Sequence, residues 1–225
     1  MSRSVLFDTE TTGFEPLTGD RVIEIAAIEL MNDLPTGEKF HVLLDPERDI
    51  PSDSTRVHGI TNAHVEGKPK FGEVAEEMLK FFGDSPLVAH NAPFDFGFVS
   101  AELERVGRPK LDRSRMIDTL VLAKKKFPGM PNSLDALCRR FGIDLSARTT
   151  HNALLDCMLL ADVYVELTGG RQRGLTLDSE QELTLAQYDA PVGRTARPIV
   201  VSPEQAAAHE AFVAKAMKAP IWKKE

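Results

Sequence analysis

Val5-Leu6-Phe7-Asp8-Thr9-Glu10-Thr11-Thr12-Gly13 begins with three consecutive apolar residues and runs directly into two carboxylates spaced two apart. The apolar start reads as a strand, in which successive side chains alternate between faces. Asp8 and Glu10 then share a face, about 7 Å apart at the usual rise of a strand. Such a pair suits two divalent cations about 4 Å apart. Oxygen donors also select hard ions such as Mg²⁺ or Mn²⁺ rather than zinc. In isolation the same pattern describes a solvated strand end.

Outward from this stretch, residues 21–31 carry the nearly continuous apolar run Val22, Ile23, Ile25, Ala26, Ala27 and Ile28, and residues 39–44 read as a third strand. Turn residues fill 13–20 and 32–37, so the three strands are expected to form an antiparallel meander. The period then changes. Phe71, Val74, Ala75, Met78, Leu79 and Phe82 recur at helical spacing, with Gly83 as a stop. Residues 86–90 form a short strand, and Pro93 sits in the first turn of a helix carrying Phe94, Phe98, Val99 and Leu103. Ser133 is placed to cap a helix with Leu134, Leu137, Cys138 and Phe141, and residues 152–167 form another that ends at Gly169-Gly170.

The 225 residues, 42% hydrophobic, suffice for one catalytic domain with a sizeable core and a tail. We place that domain at 1–170. A polar stretch follows, with a flexible linker expected over 179–198. Ser202-Pro203-Glu204-Gln205 has the spacing of a capping box with proline at the first helical position, which predicts a short tail helix within 199–225. There is no internal repeat and no glycine-rich phosphate loop. The N-terminus lacks a long apolar segment, and no window approaches the roughly 20 apolar residues of a membrane span, so the expectation is a soluble cytoplasmic chain without a membrane partner. Cys138 and Cys157 lie among apolar neighbours and read as reduced core thiols, not as metal ligands.

A net charge of −7 excludes a protein that holds nucleic acid by a broad basic face. Cations gathered by carboxylates would reconcile this acidity with a phosphate substrate. Asp95, in His90-Asn91-Ala92-Pro93-Phe94-Asp95, falls one helical turn after a buried-looking strand, where ionised acids seldom sit without a partner. A first-turn acid that complements the helix dipole is the plainer alternative. His151 and Asp156 stand five apart, about 1.4 helical turns, so His151 is expected in the loop or frayed first turn and Asp156 inside the helix. A histidine beside a metal site has the pKa to take a proton from an attacking water. Taken singly, the two are equally a surface histidine and a solvated aspartate.

Together, Asp8-Thr9-Glu10, Asp95, and His151 with Asp156 resemble the three exonuclease motifs of the DEDDh family. Val57-His58-Gly59-Ile60, Asn132-Ser133-Leu134-Asp135-Ala136-Leu137 and His151-Asn152-Ala153-Leu154-Leu155-Asp156 extend the likeness, over nearly the whole chain, to the epsilon proofreading subunits of bacterial DNA polymerase III. The resemblance implies an α/β chain of RNase H-like fold, with a five-stranded mixed sheet flanked by helices. It implies two divalent metal ions, Mg²⁺ or Mn²⁺, held by Asp8, Glu10, Asp95 and Asp156, with His151 as general base. The reaction implied is 3′ to 5′ hydrolysis of the terminal phosphodiester of single-stranded or mismatched DNA ends, releasing nucleoside 5′-monophosphates. Thr9, Thr11, Thr12, His58, Asn91 and Phe94 would line the terminal-nucleotide pocket, although Thr11 and Thr12 are equally turn formers and His58 a satisfied loop histidine. His41 and His64 acquire no role.

The resemblance also assigns the tail. Gln172, Leu175 and Leu177 fit the pattern Q-x-x-L-x-L, similar to a sliding-clamp-binding peptide, here within 171–178. Residues 199–225 resemble a segment that binds the polymerase alpha subunit. A stand-alone DEDDh ribonuclease, or an oligoribonuclease-like RNA trimming enzyme, would share all five catalytic positions, but has no evident need for a linker, clamp peptide and tail helix. A non-catalytic bracing subunit would give no reason to gather uncompensated acids.

Overall fold

The computed structural model describes residues 2–146, 148, 150–169 and 200–216. Strands β1 (Arg3–Thr11), β2 (Val22–Met31) and β3 (Leu34–Leu43) form the expected antiparallel meander. β3 begins five residues before the stretch read from sequence, because Leu34 and Pro35 continue the pairing with Met31 and Leu30 through a bulge. After it come α1 (Ser52–His58), α2 (Asn62–Val65) and α3 (Phe71–Phe82). Then follow β4 (Leu87–Ala89), α4 (Ala92–Arg105), β5 (Met116–Asp118), α5 (Thr119–Lys126), α6 (Leu134–Phe141) and α7 (Ala153–Thr168). β4 lies parallel to β1 and β5 parallel to β4, which gives a five-stranded mixed sheet in the order β3-β2-β1-β4-β5.

The alternation of β1 sorts the core into two layers. Val5 and Phe7 face α3 and α4, where Phe71, Met78, Phe82, Phe96 and Val99 are buried with them. The ring of Phe7 lies 5.2 Å from Phe82 and 5.6 Å from Phe96. Leu6 faces the other way, toward α6 and α7, with Ala26, Ile28, Val88, Leu137, Cys157 and Leu160. Burying a side chain of this size contributes roughly 1.5 to 3 kcal/mol, so these two layers fix α4 and α7 on opposite faces of β1. Both cysteines are buried and free.

Local chemistry explains the helix ends. Gly83 follows α3 at φ +50° and its N–H reaches the Leu79 carbonyl, as a stop signal should. The Ser133 hydroxyl accepts the Ala136 N–H at 3.3 Å, and Asn152 caps α7 by accepting the Leu155 N–H at 3.0 Å. In the tail, α8 (Pro203–Ala216) starts with the capping box read from sequence: Gln205 N–H donates to Ser202 Oγ and Ser202 N–H to Gln205 Oε1, each at 3.2 Å. The chain separates into two compact units, Met1–Leu175 and Thr176–Glu225. The peptide at 172–177 and the linker at 179–198 lie outside the described residues. Among the described residues, no helix is long and apolar enough to cross a membrane.

Candidate active site

The site lies where β1 ends. Asp8 and Glu10 share the face of Leu6, under α7, and Asp156 arrives from the first turn of that helix. Asp95 comes from α4 on the opposite face and is 2% exposed. It is held by Thr9, the strand residue that points its way: the backbone N–H and Oγ1 of Thr9 donate to Asp95 Oδ1 at 3.1 and 2.8 Å. Asn91, ahead of α4, takes a left-handed backbone with φ +65°, and its N–H is accepted by Asp118 at 3.1 Å. As expected from the five-residue spacing, His151 precedes α7 and stands half-exposed, while Asp156 is buried within it. Ligand atoms of Glu10, His151 and Asp156 fall within 4.8 Å of one another, a trio able to hold a cation.

The electrostatics of these acids follow from crowding. Asp8 is held well above the usual carboxylate range, first by burial and then by Asp95, Glu10, Asp156 and Glu24. Burial and the charges of Asp156, Glu24 and Asp95 push Glu10 up to about 8, with Arg148 opposing. Burial raises Asp95 to about 7 even though Thr9 donates to it. Asp156 differs: burial works against its ionisation, but hydrogen bonds from Arg148 and His151 prevail and bring it below the usual range. Three acids that repel one another are short of positive charge, and every donor is a carboxylate oxygen or an imidazole nitrogen. That donor set fits divalent cations.

The remaining sequence-derived residues surround this point. Thr11 Oγ1 donates to the Gly13 carbonyl at 2.6 Å and Thr12 Oγ1 to Asp20 at 3.2 Å, so both hydroxyls shape the turn after β1. His58 ends α1 in a buried position; its Nδ1 accepts the Ile60 N–H at 3.0 Å, and its Nε2 has no partner of hydrogen-bond geometry. Burial lowers its pKa. Phe94 packs edge-on against Phe14, which is 80% exposed, with ring centres 6.4 Å apart. A cleft of about 1010 Å³ opens beside the acids, and its lining includes Asp8, Asn91, Lys124, Asn132, His151 and Asp156.

The model of the exonuclease family RNase_T matches residues 5–164. DNA polymerase III subunit epsilon of Rickettsia felis is 44% identical over 223 residues, which cover 96% of this chain and 97% of that protein. The chain belongs to the DNA polymerase III epsilon-subunit family, and it is an exonuclease. The Escherichia coli member of the family is 41% identical over 224 residues, covering 94% of this chain and 92% of its own. A solved structure of exonuclease X in complex with 5′ overhanging duplex DNA matches with a TM-score of 0.56 and 27% identity, covering 75% of this chain and 92% of its own.

In this epsilon-family chain, two site residues escaped the sequence reading. Arg148 reaches Asp156, Asp135 and His151 from a polar loop with no periodicity to betray it. Glu24 sits inside the apolar run of β2, directly opposite Glu10. An acid interrupting a buried strand was the available signal. His41 meets this glutamate, with Nε2 2.7 Å from Glu24 Oε1, whereas His64 serves α2 locally by accepting the Thr61 N–H at 3.1 Å.

Proposed function

We propose that the chain is a proofreading 3′ to 5′ exonuclease of DNA polymerase III, which hydrolyses the terminal phosphodiester of mismatched or single-stranded 3′ DNA ends and releases nucleoside 5′-monophosphates. The observation that carries this reading is that Asp8, His151 and Asp156 line one cleft, with Glu10 within reach of His151 and Asp156 and with Asp95 hydrogen-bonded to Thr9, the residue between Asp8 and Glu10. Family membership supports it, as does the acidic net charge of −7, which leaves recognition of DNA to the site itself.

Asp8, Glu10, Asp95 and Asp156 would hold two divalent ions, Mg²⁺ or Mn²⁺. When bound, such ions supply charge for the phosphate oxygens and make water a better nucleophile at neutral pH. Thr9 keeps Asp95 turned toward the strand. His151 Nδ1 lies 3.3 Å from Asp156 Oδ2; with the proton on Nδ1 and donated there, Nε2 is left to take a proton from the attacking water. Phe94 and Phe14 offer aromatic faces to the terminal bases, with Asn91, His58 and the Thr11-Thr12 turn nearby.

The tail reading rests on sequence: Gln172, Leu175 and Leu177 bind the sliding clamp, and residues 199–225 bind the alpha subunit. A replication role implies the cytoplasm, where the two free cysteines also stay reduced. The test is degradation of a 3′-mismatched DNA primer with Mg²⁺, with and without chelator, beside an RNA oligonucleotide of the same sequence. Rates unaffected by chelation would reject the two-metal chemistry. Faster loss of the RNA would favour a stand-alone ribonuclease instead.

A further inference from the structure

Glu24 is a glutamate in the middle of a buried strand, 1% exposed, and the proposed chemistry makes no use of it. Its carboxylate collects three donors. Oε1 accepts the Asn152 side-chain amide at 3.1 Å and faces His41 Nε2 at 2.7 Å, while Oε2 accepts the Ala153 backbone N–H at 3.1 Å. Asn152 and Ala153 are the cap and first residue of α7. They lie between His151 and Asp156, and Glu24 is the cross-strand partner of Glu10. One buried carboxylate thus ties the strand pair that carries Glu10 to the helix start that carries His151 and Asp156.

A negative charge here is costly to its surroundings, since Glu24 is among the groups that raise Asp8 and Glu10. A neutral glutamine would relieve that repulsion, but it offers a single acceptor oxygen and turns an NH₂ toward at least one of the converging donors. An acceptor-only group satisfies all three. Its position at the positive end of α7 adds the favourable interaction of an anion with a helix N-terminus. His41, partly exposed on β3, holds the carboxylate from the far side.

We propose that Glu24 is a positioning residue for hydrolysis: by anchoring Asn152 and Ala153, it sets the start of α7 so that His151 and Asp156 meet Glu10. The inference rests on the exonuclease reading above. A displacement near 1 Å at a reacting group costs up to about 100-fold in rate.

The experiment uses the full chain on a 3′-mismatched DNA primer with Mn²⁺, and measures kcat, KM, calorimetric Mn²⁺ binding and Tm. Glu24→Gln should lower kcat by about 10- to 100-fold and weaken Mn²⁺ binding, while KM for the primer stays within about twofold. Asn152→Ser is the second variant, because serine still caps a helix but cannot reach Glu24. It should show the same split in a folded protein, which keeps the test decisive if Glu24→Gln unfolds. A lower Tm with wild-type kcat and Mn²⁺ affinity in the folded variants would overturn the proposal and leave Glu24 a stability residue. An inactive wild-type protein would instead sink the exonuclease reading, and Mn²⁺ binding would still report on Glu24.

Discussion

Arg148 grips Asp156 at two points, with Nε 2.5 Å from Oδ1 and Nη2 2.7 Å from Oδ2. The same Nη2 lies 2.9 Å from His151 Nδ1, and Nη1 pairs with Asp135. The guanidinium, which is 9% exposed, therefore compensates Asp156 and Asp135, while Asp8, Glu10 and Asp95 stay short of positive charge. If Arg148 donates to His151 Nδ1, the neutral ring carries its proton on Nε2, the atom the proposed base needs free. A cation at Asp156 and the Arg148 contact are thus in competition. Arg148→Gln should bind Mn²⁺ several-fold more tightly and, with chelator present, melt at a lower temperature, because Asp156 is then buried without its partner. Calorimetry and thermal melts check both; weaker Mn²⁺ binding would show that Arg148 supports the metal site instead of competing for it.

The raised acids give a pH dependence with a definite sign. Glu10 titrates near 8 when folded and Asp8 well above its ordinary value, so the folded chain keeps protons that the unfolded chain releases. Stability must then fall as pH rises toward the folded values. His58 and His90 act oppositely, being lowered by burial, but their contribution is complete once pH passes the ordinary histidine value of about 6.5. The window from about pH 7 to 8.5 therefore leaves the histidines out, and the thiols of Cys138 and Cys157, raised by burial, add to the carboxylates only at its upper end and with the same sign. In chelator, Tm should drop across this window, and saturating Mn²⁺ should remove the drop. A metal-free Tm that climbs from pH 7 to 8.5 would contradict the crowding described above.

Removing the acids one at a time separates chemistry from folding. Asp8→Ala, Glu10→Ala and Asp95→Ala should each abolish most turnover, yet leave the metal-free protein as stable as wild type or more so, because each relieves repulsion at a crowded site. Asp156→Ala should also abolish turnover but cost stability, since it strands Arg148. His151→Ala should keep metal binding and slow hydrolysis by about 10² to 10⁴. Near-wild-type turnover in any two of the carboxylate variants would reject the assignment.

What the sequence revealed here followed from residue type and period. The apolar runs of β1 and β2 and the helical spacing of α3 and α7 are local signals, and so are the caps at Ser133 and Asn152. β5 has three residues, too few to show alternation, and joins the sheet only because β4 pairs with it. α5 carries Lys124-Lys125-Lys126 and little apolar period; the Asp118 side chain, which accepts the Leu120 N–H, begins it. The acids announced themselves by being acids next to apolar runs. Glu24 carried the same local signal inside β2, but its role depends on Asn152, 128 residues away.

A chain of net charge −7 has little non-specific attraction for DNA, so proofreading needs a high local concentration at the primer end, which the proposed tethering to clamp and alpha subunit would provide. Every group of the candidate site lies before Gly170, and α7 ends at Thr168. Residues 1–170 should therefore hydrolyse a free oligonucleotide at the full-length rate. Alanine at Gln172, Leu175 and Leu177 should weaken clamp binding and leave that rate unchanged, and deletion of 199–225 should abolish retention by the alpha subunit. Pull-downs with purified clamp and alpha subunit, run beside turnover on the free oligonucleotide, measure each effect. Full retention by alpha after the deletion would show that the polymerase contact lies within residues 1–198.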